Sequence, residues 1–457
     1  MNGVGPEDAA STILEESLRR GALRGLRVAW AEVFTKSGAT RTVTLQADGS
    51  VVWGRTAEGG ISLRVLLRDG ATGFASACGP HPGEVAAAQL VDAALDAARS
   101  PASPHDPPDP PAGKGGDGRG LGIFDPRLHT STPADLEGLL DDGATEALRT
   151  DPRVRRLDSA SIAASSSEVR LANSAGFHGS YRQTLVHMSL GLVAGDAGGS
   201  IVVKRSRPAR TLAAFSPALF GDETARLAAT EFEGRPPGEG IFPALLGPAA
   251  SAELLRCFAR TLTVPAPRAG AEVGSRCLTI IDDGRLPGGC ATAPFDGEGV
   301  ATRRTPIVSR GAFAETIHDL ASASRHPGGA STGNGIRASF RDAPRRMPSN
   351  LFIAPGSEEP EELMAELGRL GGGIWIQSVR PPSAVRGDES IFTVLATGRW
   401  VAGGKPGAPI AGALVSWPLA DLLQGVLGAG NDLTFGFMPG SYGAPSLLVK
   451  EIGLRAS

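Results

Sequence analysis

The stretch RTVTLQADGSVVW, Arg41 to Trp53, holds two strand-like runs broken at Asp48-Gly49, and SLRVLLRDGATGFASA, Ser62 to Ala77, repeats that pattern around Asp69-Gly70. Asp-Gly supplies the positive φ that tight hairpin turns require. Two hairpins in succession predict a curved antiparallel sheet. Upstream, Ala10, Ile13, Leu14 and Leu18 recur at helical spacing between Glu7 and Arg20, and Leu26 to Phe34 is a short apolar run. Downstream, the segment from Pro82 to Ser100 has Pro and an acid near its start and sets Val85, Leu90, Ala94 and Leu95 on one helical face. The N-terminal part therefore reads helix, sheet, helix.

Residues 101–121 alternate Pro with Gly and Asp and contain almost no large apolar side chain, so they read as a linker or exposed loop. A helix is predicted at about Thr132 to Leu148. Strand-like runs follow at Ser159 to Ala164, Glu168 to Ala172, Thr184 to Val193 and Gly199 to Lys204, then a helix at Asp222 to Glu233. Beyond them come a strand at Ile241 to Gly247, a helix from Pro248 to Leu262, and many short strands separated by Gly, Pro, Asn and Asp clusters. The predicted fold is α+β in two domains. Residues 1–100 and 122–235 make the first, with residues 101–121 as the linker, and residues 236–457 make a β-rich second domain with few helices.

With 457 residues, the chain exceeds the roughly 250 to 300 at which single cores stop growing. Its formal net charge is −3, from 45 basic and 48 acidic residues, which gives no electrostatic footprint for nucleic acid or an anionic membrane. Cys78, Cys257, Cys277 and Cys290 show no C-x-x-C spacing and are expected to be reduced, mostly buried thiols. The N-terminal MNGVGPEDAASTILEES has neither a basic region nor an apolar core of a leader, and no apolar run approaches a membrane span. A cytoplasmic protein is expected.

Chemistry-bearing side chains gather in the second half. Asp282, Asp283, Asp296 and Glu298 form an acidic cluster that could bind a hard cation or share a proton. Turn chemistry competes with that reading, because Asp283-Gly284 and Asp296-Gly297 are loop-closing pairs. His318 and His326 are eight residues apart, a spacing that fits no common zinc site. Ser331, Thr332 and Asn334 stand in a loop flanked by glycine, which suits close approach of a partner, a substrate peptide or a neighbouring strand. Cys257 shares its predicted helix with Leu254, Leu255 and Phe258, an apolar setting that reads as structural. The segment GGKPGAPIAG, Gly403 to Gly412, lacks the phosphate-loop pattern.

Five separated segments, in order, resemble the TldD/PmbA peptidase family, known in older usage as modulators of DNA gyrase. They are Gly60 to Ala77 with its G-x-x-x-R-V core, Asn173-Ser174-Ala175-Gly176, Ile281-Asp282-Asp283 followed by Phe295 to Gly299, Ser331 to Gly335, and Pro445 to Val449. The resemblance implies a two-domain α+β fold and an obligate dimer of a TldD-type and a TldE-type (PmbA-type) subunit. The TldD type carries H-E-x-x-x-H on a helix, where two imidazoles can hold zinc and the carboxylate between them can act as general base. A cysteine near the C-terminus is that family's usual third ligand. Here the equivalent helix contains SAELLRCFAR, Ser251 to Arg260, without histidine, and TFGFMPGSYGAPSLL, Thr434 to Leu448, has no cysteine.

The resemblance thus implies a TldE-like chain with no catalytic or metal-ligating residue of its own. It implies an inactive partner subunit in a heterodimeric zinc metallopeptidase, with zinc in a TldD-like, metal-bearing partner. The implied substrates are unfolded or extended peptides, with maturation of a peptide natural product as one setting. Asp283, Glu298, His318, Ser331, Thr332 and Asn334 are the candidate peptide or partner contacts. Two alternatives stand beside this reading: a homodimeric, non-catalytic binding or scaffold protein, and a metal-free hydrolase.

Overall fold

The computed structural model describes residues 6–46, 48–79, 83–99, 108–261, 267–326, 328–380, 390–438 and 440–455. The N-terminal half is made of α1 (Pro6–Leu23), β1 (Val28–Leu45), β2 (Val51–Leu67), β3 (Thr72–Cys78), α2 (Glu84–Ala97), α3 (Pro126–Thr130), α4 (Pro133–Thr150), β4 (Val154–Asn173), β5 (His178–Asp196), β6 (Gly199–Ala209) and α5 (Pro217–Glu233). Its six strands form one antiparallel sheet in the order β3-β2-β1-β4-β5-β6. Both hairpins turn at the predicted glycines, Gly49 and Gly70, each with φ of 84°.

Side chains alternate across a strand, so one face of this sheet differs from the other. On β1, Ala31 and Val33 point with Ile61, Leu63 and Val65 of β2 against α1 and α2. Val43 points the same way and packs with Ile162 of β4 against Leu136 and Leu140 of α4. Glu32, Phe34, Lys36 and Thr40 therefore face the opposite side, toward the C-terminal half. The runs at 159–164 and 168–172 belong to one strand, β4; its polar middle, Ser165 to Ser167, stays extended because it pairs on both sides with β1 and β5. Helix α4 starts in a capping box, with Thr132 accepting from Asp135 N and Asp135 accepting from Thr132 N.

The described part of the Pro/Gly-rich segment lies along the sheet. Trp30 Nε1 donates to Pro108 O at 2.9 Å, Asn173 Nδ2 to Pro111 O at 2.7 Å, and Gly115 N to His178 O at 2.8 Å. Residues 101–107 lie outside the described residues.

The C-terminal half contains β7 (Gly240–Leu246), α6 (Pro248–Thr261), β8 (Ile280–Asp283), β9 (Arg304–Ser309), β10 (Ala312–Phe313), α7 (Leu320–Ser324), β11 (Gly335–Ile336), β12 (Arg345–Arg346), β13 (Asn350–Ile353) and α8 (Pro360–Arg369). It continues with β14 (Gly373–Arg380), β15 (Ile391–Ala402), β16 (Lys405–Pro418), α9 (Leu419–Gln424), β17 (Val426–Ala429), β18 (Thr434–Met438), β19 (Gly440–Ala444) and β20 (Leu447–Arg455). One sheet runs β16-β15-β14-β7-β20-β17, and further pairing of Leu414 with Arg455 and Val415 with Leu454 joins β16 to β20 and closes a barrel. A second sheet runs β10-β9-β8-β13-β19-β18. Helix α6 is held between them: Leu254, Leu255 and Phe258 share one core with Leu246 and Ile376 of the barrel and with Ile280 and Leu351 of the second sheet. The architecture is the predicted α+β fold, with a closed barrel that strand spacing alone did not reveal.

None of the four cysteines is in a disulfide. Cys78 and Cys277 are exposed and Cys257 and Cys290 are half-buried, so the expectation of mostly buried thiols is corrected. Cys78 sits at the end of the short edge strand β3, where few neighbours remain to cover it. No helix among the described residues is long and apolar enough to cross a membrane.

Candidate functional site

The N-terminal end of α6 and the segment from Asp432 to Ser446 are far apart in sequence, yet they meet in the wall of one cavity of about 580 Å³. Gly247, Pro248 and Ala249 contribute from the helix end, and Asp432, Thr434 and Ser446 from the other segment. Among the described residues, no histidine or cysteine lines this cavity. Its carboxylates are largely held already. Glu223 pairs with Arg207 at 2.5 Å, and Asp432 accepts from Ser446 N at 2.8 Å and from Ser446 Oγ at 2.7 Å. The third, Glu361, stands in the first turn of α8. Zinc sites are built from converging imidazole, thiolate or carboxylate groups, three or four to an ion. The donors at this place do not fit zinc, and no group of three or more His, Cys, Asp or Glu side chains able to hold a metal occurs among the described residues.

The acidic cluster turns inward instead. Glu298 is buried in the loop after Phe295; its Oε1 accepts from Arg64 Nη1 at 2.9 Å and its Oε2 from Leu320 N, at the start of α7, at 2.7 Å. Arg64 also donates through Nη2 to Glu32 Oε2 at 3.0 Å, while its Nε lies 2.8 Å from Glu32 Oε1 without hydrogen-bond geometry. Arg337 completes the set. It pairs with Glu32, donates through Nε to Gly297 O at 2.8 Å, and lies over the Phe34 ring at 4.9 Å. Two arginines and two carboxylates thus neutralise one another where the N-terminal sheet meets the C-terminal loops. Burial works against charge on Arg64, but Glu32 and Glu298 hold its pKa above the usual range. Burial pushes Arg337 down to about 10.

Asp296 closes its own loop, accepting from Glu298 N, Val300 N and Gly335 N at 2.9, 3.0 and 2.8 Å. Burial and then the Glu298 charge raise its pKa. Asp282 accepts from Ser349 N at 2.7 Å, Ser349 Oγ at 2.9 Å and Asn334 Nδ2 at 2.7 Å, and burial lifts its pKa to about 6. Asp283 accepts from Arg285 N at 2.9 Å, a turn contact. Thr332 and Asn334 are buried; Thr332 N donates to His318 O and His318 N to Thr332 Oγ1, at 3.0 and 2.7 Å. Ser331 is half-buried and donates to His318 O at 3.1 Å. The His318 ring lies 5.3 Å from that of His326 and borders a cavity of about 980 Å³.

The six candidate residues therefore gather in the C-terminal half, mostly as internal partners of one another and of the sheet. Sequence reading did not single out Glu32, Arg64 and Arg337 as ionic partners. The available signal was a charge inside an apolar strand run, Glu32 in VAWAEVF and Arg64 in ISLRVLL.

Comparison with known proteins agrees with this architecture. Residues 239–455 match the profile described as the PmbA/TldA metallopeptidase C-terminal domain, and residues 126–231 match the corresponding central domain. The chain belongs to the PmbA/TldD metallopeptidase family. It is 26% identical over 477 aligned positions to the metalloprotease PmbA of Escherichia coli O157:H7, covering 93% of this chain and 91% of that protein. A metalloprotease of Methanocaldococcus jannaschii is 36% identical over 97 residues, 21% of this chain and 21% of that protein. The matches to this and a second M. jannaschii protein span about a quarter or less of those relatives. Among solved structures, TldE of Thermococcus kodakarensis superposes with a TM-score of 0.79 at 18% identity, covering 97% of this chain and 100% of that one.

Proposed function

We propose that this chain is the non-metal, TldE-like subunit of a two-subunit TldD/TldE-type zinc metallopeptidase, working in the cytoplasm. A TldD-like partner supplies the zinc, and this chain forms part of the wall of an enclosed chamber in which unfolded or extended peptides are cleaved. Maturation of a peptide natural product is the setting proposed for that cleavage. One observation carries the reading: the cavity shared by the end of α6 and the segment from Asp432 to Ser446 has the two elements expected to bear a metal site and, among the described residues, none of its imidazole or thiolate donors. Extended peptides suit such an assembly because strand addition reads backbone rather than sequence. Within this chain, half-buried Ser331 and the cavity-bordering His318 are the best placed of the six candidates to meet peptide or partner.

The test is purification of the chain alone and with a TldD-like subunit, followed by assays of zinc content and of cleavage of an unfolded peptide. Zinc and cleavage should both require the partner. Zinc-dependent cleavage by the isolated chain would overturn the proposal.

A further inference from the structure

Past the apolar cluster that includes Phe34 and Phe340, the face of the N-terminal sheet that carries the Arg64 network opens into a polar cavity of about 390 Å³. Lys36 of β1, Ser165 and Ser167 of β4, Arg210 and Glu58 stand in its wall. Arg210 is only 6% exposed, and its guanidinium donates to three backbone carbonyls, those of Thr184, Gly289 and Cys290. Lys36 Nζ donates to Ala338 O at 3.2 Å. A guanidinium has five N–H groups and an ammonium three, so each cation keeps donors to spare.

Neither cation has a carboxylate partner among the described residues. Glu58, the one acid of the wall among the described residues, is exposed and pairs with Arg341. Burial and the charge of Arg210 lower the pKa of Lys36, with Glu58 acting weakly the other way. Burial lowers that of Arg210. This is the inverse of the Arg64 network, where every arginine meets a carboxylate. A buried guanidinium and a half-buried ammonium in a wall of hydroxyls are relieved by an incoming oxyanion, through charge-assisted hydrogen bonds.

The source of that oxyanion is indicated by the strand beside it. Strand β3 pairs with β2 only from Gly60 to Leu66, so Val51 to Glu58 offer an edge without a strand partner among the described residues. Thr56 and Glu58 of that edge also line the cavity. An extended chain added there can bring its end to the two cations.

We propose that this cavity binds the C-terminal carboxylate of an extended peptide, with Lys36 and Arg210 donating to it. The peptide as source rests on the function proposed above; the affinity for a carboxylate does not.

The test is calorimetric titration of the full chain with an N-acetylated alanine pentapeptide, prepared as the free acid and as the C-terminal amide, with inorganic phosphate as a competing probe. The free acid should bind about tenfold more tightly than the amide. Lys36→Met should weaken binding of the acid by about tenfold and leave the amide unchanged. Lys36→Arg, which keeps the charge, should retain most of the affinity, and circular dichroism should show both variants folded. Equal binding of acid and amide would overturn the proposal, as would unchanged affinity in Lys36→Met. Phosphate binding without discrimination between acid and amide would overturn it in favour of a phosphate site. These results are independent of zinc-dependent cleavage, so failure of the subunit reading is seen separately.

Discussion

Arg64 of β2 and Glu298 of the Phe295–Gly299 loop are 234 positions apart in sequence and 2.9 Å apart in space, with both side chains buried. This pair fastens the N-terminal sheet to the C-terminal half. Arg64→Met leaves Glu298 without a cation in a low-dielectric seam and Glu32 with Arg337 alone, so a loss of about 3 to 5 kcal/mol is expected in urea unfolding. Adding Glu298→Gln should recover part of it, read as a coupling energy in a double-mutant cycle.

Asp282 makes stability depend on pH. Its folded pKa of about 6 lies above the ordinary aspartate value of 3.8, so the folded state holds the proton more firmly than the unfolded chain does. The resulting stabilisation is complete below about 4 and is lost as pH rises through about 6, by roughly 3 kcal/mol in all. In Asp282→Asn this contribution to the slope should vanish, even as overall stability falls because the Asn334, Ser349 N and Ser349 Oγ donors lose a full carboxylate acceptor. Unfolding curves of both proteins between pH 4 and 7 check the difference.

Gly60 lies under the Phe340 ring, and a Cβ built there would stand 2.1 Å from Phe340 Cε2. Gly60→Ala should therefore cost roughly 1 to 3 kcal/mol by forcing the ring off the sheet. Thermal unfolding should show a lowered midpoint, and Phe340→Leu in the same chain should relieve some of it.

Thr132→Ala removes the hydroxyl that accepts from Asp135 N and leaves only the reciprocal half of the capping box, the backbone donation from position 132 to the Asp135 carboxylate. A loss of about 1 kcal/mol is expected by chemical denaturation, and Thr132→Ser should restore most of it.

Local chemistry made much of the fold legible. Asp48-Gly49 and Asp69-Gly70 placed both hairpins, and the period of α6 placed its buried face. The polar run Ser165 to Ser167 interrupted the pattern of β4 because Ser165 and Ser167 face the polar cavity rather than a core. The start of α5 was missed by five residues, since Pro217 and the Ser216 cap lie before its apolar period becomes clear. For the site, sequence located the acidic and hydroxyl residues but not their partners. Glu32 and Arg337 are separated by 305 positions, a distance over which no spacing rule operates.

The closure of the barrel bears on how the chain is made. β7 pairs with β20, whose Leu447 lies opposite Leu246, about two hundred positions earlier in synthesis. During translation, β7 and the apolar face of α6 are produced long before that neighbour exists. The N-terminal sheet pairs β1 with β2 and β4 with β5 through adjacent strands, so those hairpins can form while later residues are still being added. A stall or truncation before Leu447 would leave β7 without one of its two flanking strands, exposing to chaperones and proteases an edge that is covered in the finished molecule.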